Sequence, residues 1–284
     1  MKILVTGASG NVGKNVVASL LSLGEKIVVA GSNINNLRGM FGDQVDVVKF
    51  DFTNPETYST ALNGVDRVFL MRPPHLGKPK DLYPFIDAMK DHRIRMVSFL
   101  SLMGVENNPI PPHHKIEKYI EKSGIPYAHV RPGFFMQNIS GVHAMEIRLL
   151  DRIFIPAGRS KTSFIDAADI GLSVATLLHN PEKYQNSAHT ITGPESLSYY
   201  QIAEILSNIT KRTILYSNNG FLKYRNYYIK NRGLDKKYVD VTIALYFMTR
   251  MGTAKTVTNG FFELTGKRPK TFATFALENR EYFG

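Results

Sequence analysis

Short runs rich in Val, Ile and Phe recur through the first half of the chain, at residues 3–5, 26–30, 46–50, 67–71, 96–100 and 127–130. Between them, apolar residues return at helical spacing near 12–22, 34–41, 55–63, 80–92 and 112–122. In the first of these segments Val12, Val16, Val17, Leu20 and Leu21 share one helical face. Strand-like and helical stretches alternating across short links predict parallel strands joined by right-handed crossovers. Several boundaries carry their own signals. Asn54 sets a capping side chain before Pro55 at the first helical position. Gly24 and Gly124 follow helical stretches, where a left-handed terminal residue is expected.

After residue 132 the rhythm changes. Helical patterns appear near 141–150, 166–178, 198–208, 220–232, 237–250 and 271–278, with short strand candidates only at 152–155 and 189–192. Ser198 and Gln201 form a capping-box pair ahead of Ile202, Ile205 and Leu206. With no internal repeat, low-complexity tract or obvious linker, the chain reads as an α/β protein. Its expected form is a doubly wound parallel sheet with a smaller, mostly helical C-terminal lobe.

Composition narrows the setting more than the chemistry. The 284 residues are 43% apolar and 21% charged, ordinary for a globular chain with a real core. The absence of cysteine excludes disulfides and thiolate metal sites. No run reaches the roughly 18 apolar residues of a spanning helix, and a strand starting at residue 2 leaves no room for a cleavable signal. A cytoplasmic protein without a membrane partner is therefore expected. Of the net charge of +11, residues 211–284 carry +9. Within them, residues 221–237 mix six basic side chains with three tyrosines, which raises nucleic acid as a partner. The preferred reading is a helix with Tyr224 and Tyr228 in the core and its lysines in water.

The stretch "ILVTGASGNVGKNVV" places Gly7, Gly10 and Gly13 between the first strand and the first helix. Such a turn brings a dinucleotide diphosphate against the helix N-terminus, where free N–H groups and the dipole favour an anion. Glycine serves there because a Cβ would block the phosphate or because the turn needs positive φ. "TGASGNVG", Thr6 to Gly13, resembles the T-G-x-x-G-x-x-G motif of extended and atypical short-chain dehydrogenase/reductases. Residues 50–71, 113–138, 163–171, 191–207 and 263–279 are similar to recurrent segments of the NmrA-like subgroup. The resemblance implies a Rossmann NAD(P)-binding domain over 1–150, with the remaining Rossmann elements and a substrate-binding lobe over 151–284. It also implies cofactor contacts from Thr6, Gly7, Ser9, Gly10, Asn11, Val12 and Gly13. That family contains quinone, azo-dye and triphenylmethane-dye reductases, and redox-sensing regulators.

An acid after the second strand would accept a ribose 2′-hydroxyl and repel a 2′-phosphate. Here Ser32 and Asn33 stand in that place, the first acid is Asp43, and Arg38 could supply charge. NADP(H) is the expected cofactor, with NAD(H) as the second reading. NmrA-like proteins often carry arginine where Ser32 aligns. Asp51 and Phe52 fit the family's adenine-contacting position, with helix capping as the other reading of Asp51.

Most short-chain dehydrogenases carry a Tyr-x-x-x-Lys pair on the fifth helix; alignment puts those positions at Pro109 and His113. The usual acid is missing, and His113 is the candidate replacement, against a surface histidine or a role for His114. No metal site is expected. Ligands of open α/β sheets lie beyond the strand carboxyl ends, which nominates Met71, Arg72, Ser101 and Pro132 for the cofactor. His75, Phe134 and Phe135 are the candidates for substrate, the phenylalanines by stacking on a flat molecule. The expected function is NAD(P)H-dependent reduction of a planar conjugated small molecule, such as a quinone, by a monomer or homodimer. The alternative is a non-catalytic NADP(H)-sensing regulator.

Overall fold

A computed structural model describes the chain from Met1 to Gly284. Twelve strands follow one another: β1 Lys2–Thr6, β2 Ile27–Gly31, β3 Asp46–Lys49, β4 Val65–Met71, β5 Met96–Leu100, β6 Tyr127–Pro132, β7 Phe134–Phe135, β8 Arg152–Phe154, β9 Lys161–Ile165, β10 Ser187–Ile191, β11 Ser196–Ser198 and β12 Leu215–Ser217. The first five helices are α1 Asn11–Ser22, α2 Ile34–Phe41, α3 Glu56–Leu62, α4 Tyr83–Asp91 and α5 Pro112–Ser123. No helix is long and apolar enough to cross a membrane.

The chain forms two compact units. The first comprises Met1–Pro132, Ala167–Ile191 and Gly260–Lys267. Its sheet runs β10-β6-β5-β4-β1-β2-β3, with every neighbouring pair parallel. Strand order reverses between β1 and β4, the expected doubly wound arrangement. Ile3, Leu4 and Val5 are wholly buried, as a central strand covered on both faces requires. α1 buries Val12, Gly13, Val16, Val17 and Leu20, and Gly24 and Gly124 end their helices at φ of +76° and +83°. The Ala167–His179 helix lies against α1 so closely that a Cβ on Gly171 would fall 2.6 Å from the Asn15 backbone carbon. The Gly260–Thr265 helix meets β10 likewise: a Cβ on Gly260 would be 2.2 Å from the Thr190 carbonyl oxygen.

The second unit comprises Gly133–Asp166, Thr192–Asn259 and Arg268–Gly284. It carries a β11-β9-β7 sheet and a β12-β8 pair. The chain leaves the first unit after Pro132, whereas the sequence placed the division after residue 150. The physical reason is that residues 134–135 pair with 164–165 and not with the large sheet. Tyr224 and Tyr228 are buried as expected, beside Tyr246 and Tyr199. Buried His143 bridges two of these hydroxyls, with Nδ1 and Nε2 each 2.8 Å from Tyr228 and Tyr246. Burial, helped by the Arg232 cation, pushes His143 down to about 3, so it is neutral. Buried Glu146 pairs with Arg232 and accepts from the Tyr227 hydroxyl at 3.2 Å.

Candidate functional site

Thr6 closes β1 and ties it to β4 at the point where strand order reverses. Its buried hydroxyl donates to the Phe69 carbonyl at 3.0 Å and accepts from the Met71 amide at 3.1 Å. Thr6 is thus a positioning residue for the turn that follows. Gly7 has φ of +63°, and a Cβ there would fall 2.0 Å from Met71 Sδ. A Cβ on Gly13 would fall 2.1 Å from the Gly7 carbonyl oxygen. These two glycines are demanded by the protein itself. Gly10 differs: it is extended, and its Cβ would approach only the Gly7 carbonyl oxygen, at 3.3 Å. Gly10 caps α1 without any side-chain hydrogen bond, and no acid stands in the first turn. The amides of Asn11, Val12 and Gly13 therefore open an anion site in which the helix dipole adds to the N–H donors.

Beside this turn lies a cleft of about 310 Å³ at the carboxyl ends of β1, β2 and β3. Gly7, Ser9, Ser32, Asn33, Asp51 and Phe52 line it. Asn33 also caps α2, accepting from the Asn36 amide at 3.0 Å. Asp51 accepts from the Thr53 amide and hydroxyl at 2.8 and 2.7 Å. These bonds hold its carboxyl below the usual range, with smaller help from His75 and Lys49. Asp51 does not cap the following helix; Asn54 does, accepting from the Glu56 amide at 3.1 Å. Phe52 rests edge-on against Phe50 and Phe85, with centroids 4.7 and 5.5 Å away.

Three expected residues fall elsewhere or act otherwise. His75, expected toward the substrate, lines this same cleft with Ser32 and Asp51. Arg72 brings it there, donating to the Pro73 and Leu76 carbonyls at 3.2 and 2.7 Å. Arg38, expected to supply charge, is exposed on α2 and absent from the cleft lining. Lys49 is a cation beside Ser32 and Asn33. It ends β3 opposite Gly31 of β2 and shares a shallow hollow with Ser32, Asn33 and Asn35. The signal for it was available in principle, because parallel register sets the last residue of one strand beside the last of its neighbour.

At the ends of β5 and β6, buried Ser101 donates its amide to the Val130 carbonyl at 2.8 Å, and the Pro132 carbonyl accepts from Met103 at 3.0 Å. His113 opens α5 nearby, its ring centroid 6.0 Å from that of Phe99. Burial, reinforced by the Arg72 cation against a smaller opposing effect of Glu117, pushes His113 down to about 4. The expected imidazolium acid is therefore absent at neutral pH; a neutral ring can offer only an N–H or a lone pair. His114 has a local task, its Nδ1 being 2.8 Å from the Val105 carbonyl. Burial would raise Glu117, but the Arg131 guanidinium, at 2.7 Å, outweighs it and holds the carboxylate ionised. Glu117, Glu121 and His129 bring ligand atoms within 4.8 Å of one another. Arg131 and Lys118 already neutralise the two carboxylates, so the donor set fits a metal ion poorly. Phe134 and Phe135 lie half-buried on β7 in the second unit, in register with Phe164 and Ile165 of β9.

The model of the NmrA-like family matches residues 1–223. The chain belongs to the NmrA-like family. Prestalk A differentiation protein A of Dictyostelium discoideum is 31% identical over 283 residues, covering 98% of this chain and 92% of that protein. An NAD(P)H azoreductase of Xenophilus azovorans is 28% identical over 288 residues, covering 99% of each. The solved structure of an NADPH-dependent quinone oxidoreductase from Escherichia coli, in complex with NADPH, superposes with a TM-score of 0.88 at 20% identity. It covers 99% of this chain and 100% of that one, a likeness of fold. This NmrA-like chain has Ser32 where its sequence resemblance leads one to expect arginine, and the cation it offers in the neighbourhood is Lys49.

Proposed function

We propose that this NmrA-like protein is an NAD(P)H-dependent reductase of a small planar conjugated acceptor, a quinone being the simplest. The observation that carries the reading is the uncapped α1 N-terminus opening beside a cleft of about 310 Å³ at the switch point of the sheet. Gly7 and Gly13 hold the turn, and Gly10 keeps its approach free of a side chain. The amides of Asn11, Val12 and Gly13 would hold the diphosphate. Ser32, Asn33 and Asp51 would take the adenosine end, and Lys49 would face a 2′-phosphate, favouring NADPH over NADH. The bound nicotinamide supplies a hydride equivalent.

Ser101 and Pro132 close the strand ends beyond which the reacting ring of a cofactor lies in open α/β sheets. At neutral pH His113 is neutral and Glu117 is ionised and paired, so neither serves as a strong acid there. A quinone suits such a site, because its reduced form is resonance-stabilised and takes its protons from water. An isolated ketone does not, since its alkoxide needs a donor in the transition state. The test is calorimetric titration with NADPH and NADH, followed by loss of reduced-cofactor absorbance when simple quinones and dyes are added. Tight NADPH binding with quinone turnover supports the reading. Binding without turnover across a broad acceptor panel removes the reductase and leaves a cofactor sensor; absence of binding removes both.

A further inference from the structure

The Lys236–Arg250 helix is apolar on two faces, and its own unit covers only one of them. Val239, Tyr246 and Thr249 point inward. On the opposite side Val241, Ala244, Leu245 and Met248 form a stripe, which Met251 continues just past the helix end. All five are exposed, Val241 by 59% and Met251 by 69%. The patch widens beside them. Phe247 is 53% exposed, with its ring 6.1 Å from that of Phe221 on the neighbouring Phe221–Asn226 helix, where Leu222 is 79% exposed. A helix face turned to water normally carries polar residues, and contiguous exposed apolar surface marks a place of contact.

The charge around the patch says what kind of contact. Residues 221–257 contain eight Lys and Arg against two Asp. Asp240 is neutralised by Arg225 at 2.7 Å, and Asp235 caps the helix by accepting from the Tyr238 amide at 2.9 Å. Lys223, Lys236 and Lys237 on these two helices, and Lys255 just beyond the second, are exposed. A second copy of this chain would bring the same cations against its own, which disfavours self-pairing. A surface of lipid phosphates matches both features, since apolar side chains enter the headgroup boundary while long basic side chains reach the phosphates.

We infer that this face docks onto an anionic lipid bilayer, with the Lys236–Arg250 helix lying in the plane of the interface. The contact needs no spanning segment and goes beyond the reductase reading, because neither cofactor nor acceptor takes part in it. The experiment is co-sedimentation of the full chain, without cofactor, with phosphatidylcholine vesicles containing or lacking about 30% phosphatidylglycerol. Association is expected to be about tenfold stronger on the anionic vesicles and to weaken steeply toward about 0.5 M salt. Val241→Glu with Leu245→Glu, and separately Lys236→Glu with Lys237→Glu, should each lower it by about tenfold. Both pairs are on the surface, so wild-type Tm and NADPH affinity should be kept. Equal or absent association with the two vesicle types overturns the proposal. So does a dimer, seen by light scattering, that Val241→Glu with Leu245→Glu converts to monomer, because the stripe then belongs to a second copy.

Discussion

In the parallel-sheet unit the polar groups of the site face outward: Gly7, Ser9, Ser32 and Asn33 line a cleft walled by Leu37, Phe50, Phe52 and Leu76, and the helix-start amides open beside it. In the second unit the polar groups lie inside, where His143, Glu146 and Arg232 meet the hydroxyls of Tyr227, Tyr228 and Tyr246. The first arrangement places donors at a surface and asks for room. The second satisfies charges and hydroxyls in a dry core and asks that every partner be present. Substitutions should therefore fail differently, by occlusion in the first unit and by unpaired burial in the second.

The largest effect is expected from Gly13→Ala, whose methyl would collide with the Gly7 carbonyl. NADPH affinity should fall by about a thousandfold in calorimetry, roughly 4 kcal/mol. Gly10→Ala is the sharpening partner, because it should lower affinity while leaving Tm near wild type. Next comes Glu146→Ala, which strands Arg232 and removes an acceptor from Tyr227. A loss of about 3 kcal/mol in urea unfolding is expected, with NADPH affinity of the folded protein unchanged. If affinity fell in parallel, the contrast between the units would break.

Acid should act on both units. His113, His129 and His143 are held at about 4, 4 and 3 by burial, below the unfolded value near 6.5. Between these limits the unfolded chain binds more protons than the native one. Stability is thus fully present at and above pH 7 and is lost as pH falls below about 6.5 toward the folded values. His143→Gln should flatten the fall measured between pH 6.5 and 5 by about 1 kcal/mol per pH unit. Lys49→Ala should weaken NADPH by about tenfold and leave NADH unchanged, since a cation facing a phosphate is worth about 1–2 kcal/mol. The smallest effect is expected from His113→Gln. A neutral ring is no imidazolium acid, so quinone turnover should change less than about threefold, with no inflection lost from its pH profile above pH 5.

The sheet was legible in the sequence because its strands are short apolar runs punctuated by glycine, proline and capping signals, as at Gly24, Asn54 and Gly124. The glycine turn was legible for the same reason, since Gly7 and Gly13 answer to local geometry. Strands β7, β9, β11 and β12 were hidden: three of them are only two or three residues long and β9 opens with Lys161, Thr162 and Ser163, so no apolar run announces them. The interleaving of the units is invisible to any linear reading. Arg38 was singled out for its nearness in sequence, and it lies exposed on α2, outside the cleft lining. Lys49 lies eleven residues further on and reaches Ser32 only through strand register. The neutral state of His113 was hidden because burial beside Arg72, which sequence does not display, decides its protonation.

The tight meeting of Gly171 with Asn15 has a consequence for the order in which the protein matures on the ribosome. The loop begun by residue 7 sits on a helix whose flank stays bare until residue 171 has been synthesised. The outermost strand, residues 187–191, and the helix that abuts it, residues 260–265, emerge later still. A nascent chain released near residue 150 would carry the complete fingerprint turn yet lack its buttress and one sheet edge. It is such fragments that chaperones should hold and proteases should clear.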